Sequence, residues 1–539
     1  MLATSALIVL FCLAGEAAAG AEEAAWQEAE RRGVIYADCG RHARQILHGW
    51  IEHKQDPETY LFSRGGRWDY ANEAADHYSS LVLMARFVEP ELIEPGGKLH
   101  RTLVSSIRLC TGPSGLPGPY DLRTGTRGEP NVGAVAEWLR DGLLRITEVL
   151  GTENDWHREM RRLCDALVEE AEARGGMARL AAGPEARGNL LQTLSRLAAV
   201  SGDERYLRAA EELADEYLLG DPIAAVGRVP FGDHGCELVP GLAELFVVER
   251  RLGRPRAEPY RRALEKLLDR MVAVGRHPET GLWYPAADLR TGKAQPGLPP
   301  DTWGYVLFAL ENYDRATGGE RYRAAVEKPM RWLVENRPRY DELRETLWHR
   351  TGNIDDFSDS YESMIVLWNR YRGVPGVFAW LDWITHRGGH RRDRPDSPFG
   401  PGNGGHFDGS TGRTLCLHMM LASAGVRAVP FQEGLRLGAV VRDGELLLRV
   451  ASEAGYRGRL CFDSPRTPRA ATPIDWARIN EMPGWYVVEP GSRYQLRLDA
   501  AAAQQVDGRQ LAEGWPIELP PGGATKVVVR PSDPAAPGL

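Results

Sequence analysis

Carboxylates, histidines and aromatic side chains gather at separate stations along the chain. They read Arg67-Trp68-Asp69-Tyr70 with Asp76-His77-Tyr78, Asn131, Asn189 with Gln192, and Asp233-His234-Gly235-Cys236-Glu237. Further on come Asp301-Thr302-Trp303-Gly304-Tyr305 and the acidic run from Asn353 to Glu362. Acids that bind hydroxyls, beside aromatic planes that stack on the C–H faces of a sugar, are what a carbohydrate cleft needs. Cleaving a glycosidic bond takes two carboxyl groups that flank it. Asp76 and Glu237 lie inside mainly apolar stretches, where an unpaired carboxylate is expensive to bury. Asp356 and Asp359, three apart, share a helix face, and crowded carboxylates raise one pKa towards that of a general acid.

On this reading Glu237 with Asp301 or Asp359 forms the acid–base pair, and Asp76 orients the substrate. Trp68, Trp303 and Tyr361 line the sugar site, with His77, His234, Asp356, Asn131 and Asn189 as further substrate contacts. Asp233, Asp301 and Asp355 are equally suited to capping helix N-termini, where aspartate is favoured for its local hydrogen bonds. A polysaccharide lyase would draw on other groups: Tyr78 or Tyr361 as acid–base, His234 as base, Arg67 or Asn131 to neutralise a uronate. A glycan-binding protein without catalysis is the third reading. No cofactor motif and no metal site is read; Asp355, Asp356 and Asp359 come nearest to an oxygen set for Ca2+.

The elements that must hold these residues are helices. Apolar residues recur with a period of 3.6 over about 35–54, 72–87, 91–110, 132–149, 154–174, 187–200, 203–219, 236–251, 257–275, 301–316, 319–336 and 358–372. Glycine followed by an aromatic punctuates the series: Gly151 with Trp156, Gly202 with Tyr206, Gly253 with Tyr260, Gly318-Gly319 with Tyr322. Repeats of this length mark stacked supersecondary units. Twelve helices make six hairpins, the number that closes an (α/α)6 toroid. The less charged helices form its inner ring, and their N-termini, rich in unpaired N–H groups, open at one end. The candidate residues all fall at those N-termini. A further helix, about 411–424, is placed beside the first to help close the ring.

From about Pro430 the period becomes two, with a hairpin turn at Arg442-Asp443-Gly444 and short strands punctuated by glycine and proline. The expected organisation is a leader over 1–20, a toroid over 21–425, an antiparallel β-sandwich over 426–530 and a disordered tail over 531–539. The leader has an apolar stretch from Ala6 to Ala14 and small residues up to Gly20, too short to remain in a bilayer. A secreted or periplasmic location follows, with no stable membrane insertion after cleavage. A net charge of −8 and the lack of a basic aromatic surface exclude nucleic acid as a partner. Six cysteines beyond the leader show no Cys-x-x-Cys pair, which favours buried free thiols. A carbohydrate is the expected partner, and the oligomeric state is not legible.

Residues 34–372 resemble the six-hairpin glycosidase superfamily of (α/α)6 enzymes, which often carry β-sandwich modules. The run Asp301 to Leu310 is similar to the tryptophan-containing inner helix of unsaturated glucuronyl and uronyl hydrolases. The run Asp359 to Ile365 is similar to their last inner helix. The resemblance implies an exported glycoside hydrolase. That family carries its general acid/base aspartate on a central inner helix; here Gly188 to Leu194 has none, and the fourth helix offers only Glu137.

Overall fold

The computed structural model describes residues 2–339, 342, 355–405, 407–467 and 469–532, with side chains from Gly20 onward. Outside that set lie residues 533–539 of the expected tail, Asn353 and Ile354, and every side chain of the expected leader except Gly20.

Fourteen helices position the site. They are α1 (Leu2–His53), α2 (Tyr70–Tyr78 continuing as Ser79–Val88), α3 (Lys98–Cys110) and α4 (Val132–Glu137, Trp138–Leu144 and Arg145–Leu150 in one run). Next come α5 (Asp155–Arg174), α6 (Pro184–Ser201), α7 (Glu204–Leu218), α8 (Leu238–Arg251) and α9 (Ala257–Gly275). The series ends with α10 (Tyr305–Thr317), α11 (Arg323–Glu335), α12 (Asp355–Trp368), α13 (Val377–Arg387) and α14 (Asp408–Ala422).

The even-numbered helices neighbour one another in a closed cycle. α2 packs on α4, α4 on α6, α6 on α8, α8 on α10, α12 on α14 and α14 back on α2. α10 and α12 are joined by the Gly304 N–H donating to Ser363 Oγ (3.1 Å) and by Tyr305. The cycle therefore has seven members among the described residues, not the six expected. Two elements account for the difference. α13, a short aromatic-rich helix, falls in a stretch that looks irregular beside its Gly- and Arg-rich flank. α14 is a full inner helix, buried at nearly every position, and not merely a neighbour of α1.

Composition explains which helices go inside. Every residue of α8 from Leu238 to Glu249 is buried, so it must have protein on all sides. α7 buries one face, with the stripe Tyr206, Leu207, Ala210, Leu213, Ala214 and Tyr217 at its centre, and turns most of its charges outward. The glycine–aromatic repeat links the outer helices in series. Tyr206 donates to Asp165 of α5 (2.8 Å), Tyr260 to Asp215 of α7 (2.6 Å) and Tyr322 to Asp269 of α9 (2.8 Å). The repeat is thus structural, and its glycines turn the chain with positive φ (Gly151, Gly202, Gly253 and Gly318).

Small residues let the inner helices approach closely. A methyl added at Gly188 of α6 would sit 2.4 Å from the Glu237 carbonyl carbon at the start of α8. Backbone cannot give way there as a flexible side chain would. Gly188→Ala is expected to cost about 1–3 kcal/mol in denaturant unfolding, whereas alanine at Gly220, with open space around it and no positive φ, meets no such clash.

Residues 427–531 form a five-stranded and a three-stranded antiparallel sheet. In the larger sheet, Arg436–Arg442 pairs with Glu445–Ser452 across the expected Asp443-Gly444 turn, where both residues have positive φ. The α1 helix lies against this hairpin, with Gly438 close under the Ala29 carbonyl. Among the described residues no helix is long and apolar enough to cross a membrane, and Cys39, Cys110, Cys164, Cys236, Cys416 and Cys461 are buried free thiols.

Candidate active site

A polar cavity of about 110 Å3 opens at the N-terminal ends of the inner helices, and all seven contribute to its wall. α2 supplies Asn72 and Asp76, α4 supplies Glu137, Arg140, Asp141 and Arg145, and α6 supplies Glu185. Asp233 and His234 come from the loop before α8, and Tyr305 from α10. Asp355 and Asp359 come from α12, and Phe407, Ser410 and Arg413 from the start of α14.

Two of these helices are wound locally as π-helix, over Tyr70–Tyr78 and Trp138–Leu144. Such turns are rare and favour functional sites because they re-aim side chains within a helix. Here they carry Asp76, Arg140 and Asp141. The Asp69 side chain starts the first of them by accepting from the Asn72 and Glu73 N–H groups.

The acids divide into free and anchored. Among the described residues, the carboxyl groups of Asp76 and Glu137 make no hydrogen bond or ion pair, yet both face the cavity. Burial raises the Glu137 carboxyl to about 7, with the charge of Asp141 adding to the rise. Burial also pushes Asp76 well above the usual carboxylate range, helped by the charges of Asp141 and Glu137. Asp355 is raised by burial to about 6, against the opposing pull of Arg413. Like charges gathered in a low-dielectric site must hold some of their protons at neutral pH.

Beneath these groups the charges are paired. Arg413 donates from Nη2 to Asp359 Oδ1 (2.6 Å) and lies 2.8 Å from Glu362 Oε2 through Nη1. The Tyr305 hydroxyl reaches both carboxylates, at 3.1 Å from Asp359 Oδ1 and 2.7 Å from Glu362 Oε2. Arg140 pairs with Asp141 at 2.7 Å. At the rim His234 sits in the left-handed region (φ 59), with Nδ1 2.9 Å from Glu185 Oε1 and Nε2 3.5 Å from Asp233 Oδ2. The Glu185 hydrogen bond, then the Asp233 charge, raises this imidazole to about 10, so it is a cation at neutral pH.

The structure thus brings Asp76, His234 and Asp359 of the expected set into one cavity, with Asp233 and Asp355 beside them. Asp301 lies close enough for its charge to act on Asp355 and Asp359, but its Oδ1 accepts from the Thr302 N–H (3.0 Å) and it is not in the wall. Glu237 is fully buried behind the wall, 3.8 Å from Arg140, and its Oε2 has no hydrogen-bond partner. Burial raises it to about 8.

Several expected sugar contacts are core groups instead. Trp68, Trp303 and Tyr361 are sealed from solvent, Trp68 against Tyr70 and Tyr78, and Tyr361 with its hydroxyl on His418 Nδ1 (3.0 Å). Aromatics at the starts of inner helices fill the space between neighbouring helices, which leaves no face for stacking. His77 is held between the carbonyls of Asn72 (2.9 Å) and Gly405 (3.0 Å) and stacks on Trp50. Asn131 caps α4 by accepting from the Ala134 N–H, and buried Asn189 accepts from Arg140 Nε (2.9 Å). Asp356 is buried away from the wall. Tyr78, the other tyrosine suited to a lyase, is buried and donates to the Leu99 carbonyl.

The groups that the sequence reading passed over are Glu137, Asp141, Arg140, Arg145 and Arg413. The signal for the first four was present: charges spaced through the otherwise apolar run from Val135 to Ile146. That is the same cue that singled out Asp76.

No family model matches the sequence, and no curated protein matches it. Among solved structures the chain is similar to a GH127 β-arabinofuranosidase at 12% identity and a TM-score of 0.31, over 93% of this chain and 76% of that one. It is similar to a GH127 β-L-arabinofuranosidase from Geobacillus stearothermophilus T6 at 12% identity and a TM-score of 0.32, over 93% of this chain and 80% of that one. Likeness at that level leaves fold and chemistry to be argued from this chain's own residues.

Proposed function

We propose that the chain is a carbohydrate-active hydrolase that cleaves a glycosidic bond in the cavity at the inner-helix N-termini. Glu137 is the general acid, Asp355 the base or nucleophile, and Asp76, protonated, donates to substrate hydroxyls and orients the sugar. One observation carries this reading. Glu137 and Asp355 face the same cavity, and their surroundings push them apart: burial and the Asp141 charge favour the protonated Glu137, whereas the Arg413 charge favours the ionised Asp355. Carboxyl groups with opposite protonation in one site are the requirement for glycoside cleavage. Burial and the neighbouring Asp355 raise the Asp359 carboxyl well above the usual range, and Arg413 holds Asp359 by a direct hydrogen bond while its charge favours ionised Asp355. An exported location, as the apolar leader suggests, suits a glycan substrate outside the cytoplasm.

The test is turnover of a panel of aryl glycosides and oligosaccharides at pH 6.5, with Glu137→Gln and Asp355→Asn alongside. p-Nitrophenol leaves without a proton, whereas a sugar hydroxyl does not. Glu137→Gln should therefore slow oligosaccharide cleavage much more than p-nitrophenol release, and Asp355→Asn should slow both. Wild-type rates in both variants on a substrate that the enzyme cleaves would overturn the assignment.

A further inference from the structure

The end of the ring opposite the cavity is filled by a segment from between the strands of the β-rich region. Trp476 Nε1 donates to Glu244 of α8 (2.9 Å), and the Ala477 N–H and carbonyl bond both atoms of the Asn312 amide on α10. Arg478 pairs with Glu148 of α4 at 2.6 Å, and the Ile479 carbonyl accepts from Arg196 of α6. Glu481 meets Arg370, just beyond α12, at 2.9 Å. At the tip is Asn480, buried and held in the left-handed region at φ 64.

Asn480 reaches the charges under the cavity. Its Oδ1 accepts from Arg145 Nε (2.9 Å), its Nδ2 donates to Asp141 Oδ1 (2.7 Å), and its backbone N–H donates to Glu362 Oε1 (2.5 Å). An arginine only donates, so the amide oxygen must face Arg145 and the amide nitrogen must face Asp141. The amide therefore holds Asp141 as an acceptor and fixes Arg145 at the same time.

We propose that Asn480 is a positioning residue of the active site, delivered by the β-rich region: its amide locks Asp141 and Arg145 beneath the substrate cavity. The catalytic part of this inference rests on the function proposed above. Asp141 in turn sits beside Asp76 and Glu137, the two free acids. The charged groups that face Asn480 and its partner are Asp141, Arg140 and Arg145 of α4 and Glu362 of α12, with Arg413 of α14 behind Glu362; Arg140 sits 2.7 Å from the same Asp141 oxygen that accepts from the amide.

Asn480→Asp tests the inference because it keeps the shape and the tolerance of a left-handed backbone but replaces the donor with an acceptor. Two carboxyl groups 2.7 Å apart repel when both are ionised; Arg140 and Arg145 offset part of that repulsion, and the pair still gives up its last proton at a higher pH than a lone aspartate. While it holds that proton the new carboxyl donates to Asp141 as the amide did. The folded pKa of the pair is raised, so its stability is present at low pH and lost as pH rises. The unfolding midpoint of Asn480→Asp should match the wild type near pH 5 and fall below it by pH 8. That readout needs no substrate.

On a cleaved glycoside, kcat should drop about tenfold at pH 7 and recover towards pH 5, with KM changed less than twofold. Glu148→Gln, which loosens the segment at Arg478 without touching Asp141, should lower the unfolding midpoint at every pH and leave the pH profile unmoved. A wild-type midpoint and profile in Asn480→Asp, or an equal loss at every pH, would overturn the proposal. Absence of turnover in the wild type would instead count against the proposed function and leave the stability test standing.

Discussion

Glu137→Gln is expected to reduce oligosaccharide turnover by about 10^2–10^4-fold, the usual contribution of a general acid, and to make the protein more stable above pH 7. Both effects come from one property. The folded protein holds the Glu137 proton to about pH 7, whereas an unfolded glutamate releases it near its ordinary value of 4.5. A carboxyl with a raised folded pKa stabilises the fold fully below its unfolded pKa, and that stability is lost as pH rises through the folded one. The loss runs from about 4.5 to 7 and amounts to at most roughly 3 kcal/mol, because the side chain keeps some opening to the cavity. Glutamine never ionises and avoids it. Unfolding curves of the two proteins should therefore coincide near pH 4 and separate by pH 8, with the variant the more stable. Over the same range wild-type kcat/KM should be bell-shaped, rising through about 6 as Asp355 ionises and falling through about 7 as Glu137 does. A variant that is both active and unchanged in its pH-dependent stability would remove Glu137 from the site.

Arg413→Met should produce the largest loss of stability. The guanidinium is the shared partner of Asp359 and Glu362, and all three are buried. Removing one member of a buried charge network leaves uncompensated charge, at a cost of about 3–5 kcal/mol. The stranded carboxyls can escape part of this cost by binding protons, so the loss should be smaller at pH 5 than at pH 8. Adding Glu362→Gln should recover some of it, since the double variant leaves one fewer buried charge. Denaturant unfolding at the two pH values measures each step. Equal stability of Arg413→Met and the wild type at pH 8 would mean that the network carries little energy.

Helical periodicity marks nearly every helix of the ring, because amphipathic outer helices and apolar inner ones each leave their own pattern. The site was legible at Asp76, where a charge interrupts an apolar helix, and at Asp359, which shares a helix face with Asp356; the first cue also chose Glu237, which is buried behind the wall. It was misread where aromatic residues stood beside acids: Trp68, Trp303 and Tyr361 fill gaps between helices, and burial of that kind has no local mark. Glu137 was noticed but not chosen, since its turn into the cavity accompanies a π-helical stretch that residue spacing does not announce. Asn480 lay out of reach altogether. It stands more than 300 residues from Asp141 and acts through a contact that only the closed ring creates.

That closure also has a place in time. Gly409, on α14, lies so close under the Asp76 carbonyl that an added methyl would come within 2.1 Å of the oxygen. The residues on either side of this seam are made far apart during synthesis. At about 5–20 residues per second, a ribosome needs roughly twenty seconds to a minute between Asp76 and Gly409, and several seconds more to reach Asn480. Throughout that interval the acids of α2 and α4 are made but unpartnered by α12, α14 and Asn480. The cavity is therefore among the last parts of the newborn chain to take shape, and a chain that stops short of Asn480 is expected to have a ring with no working centre.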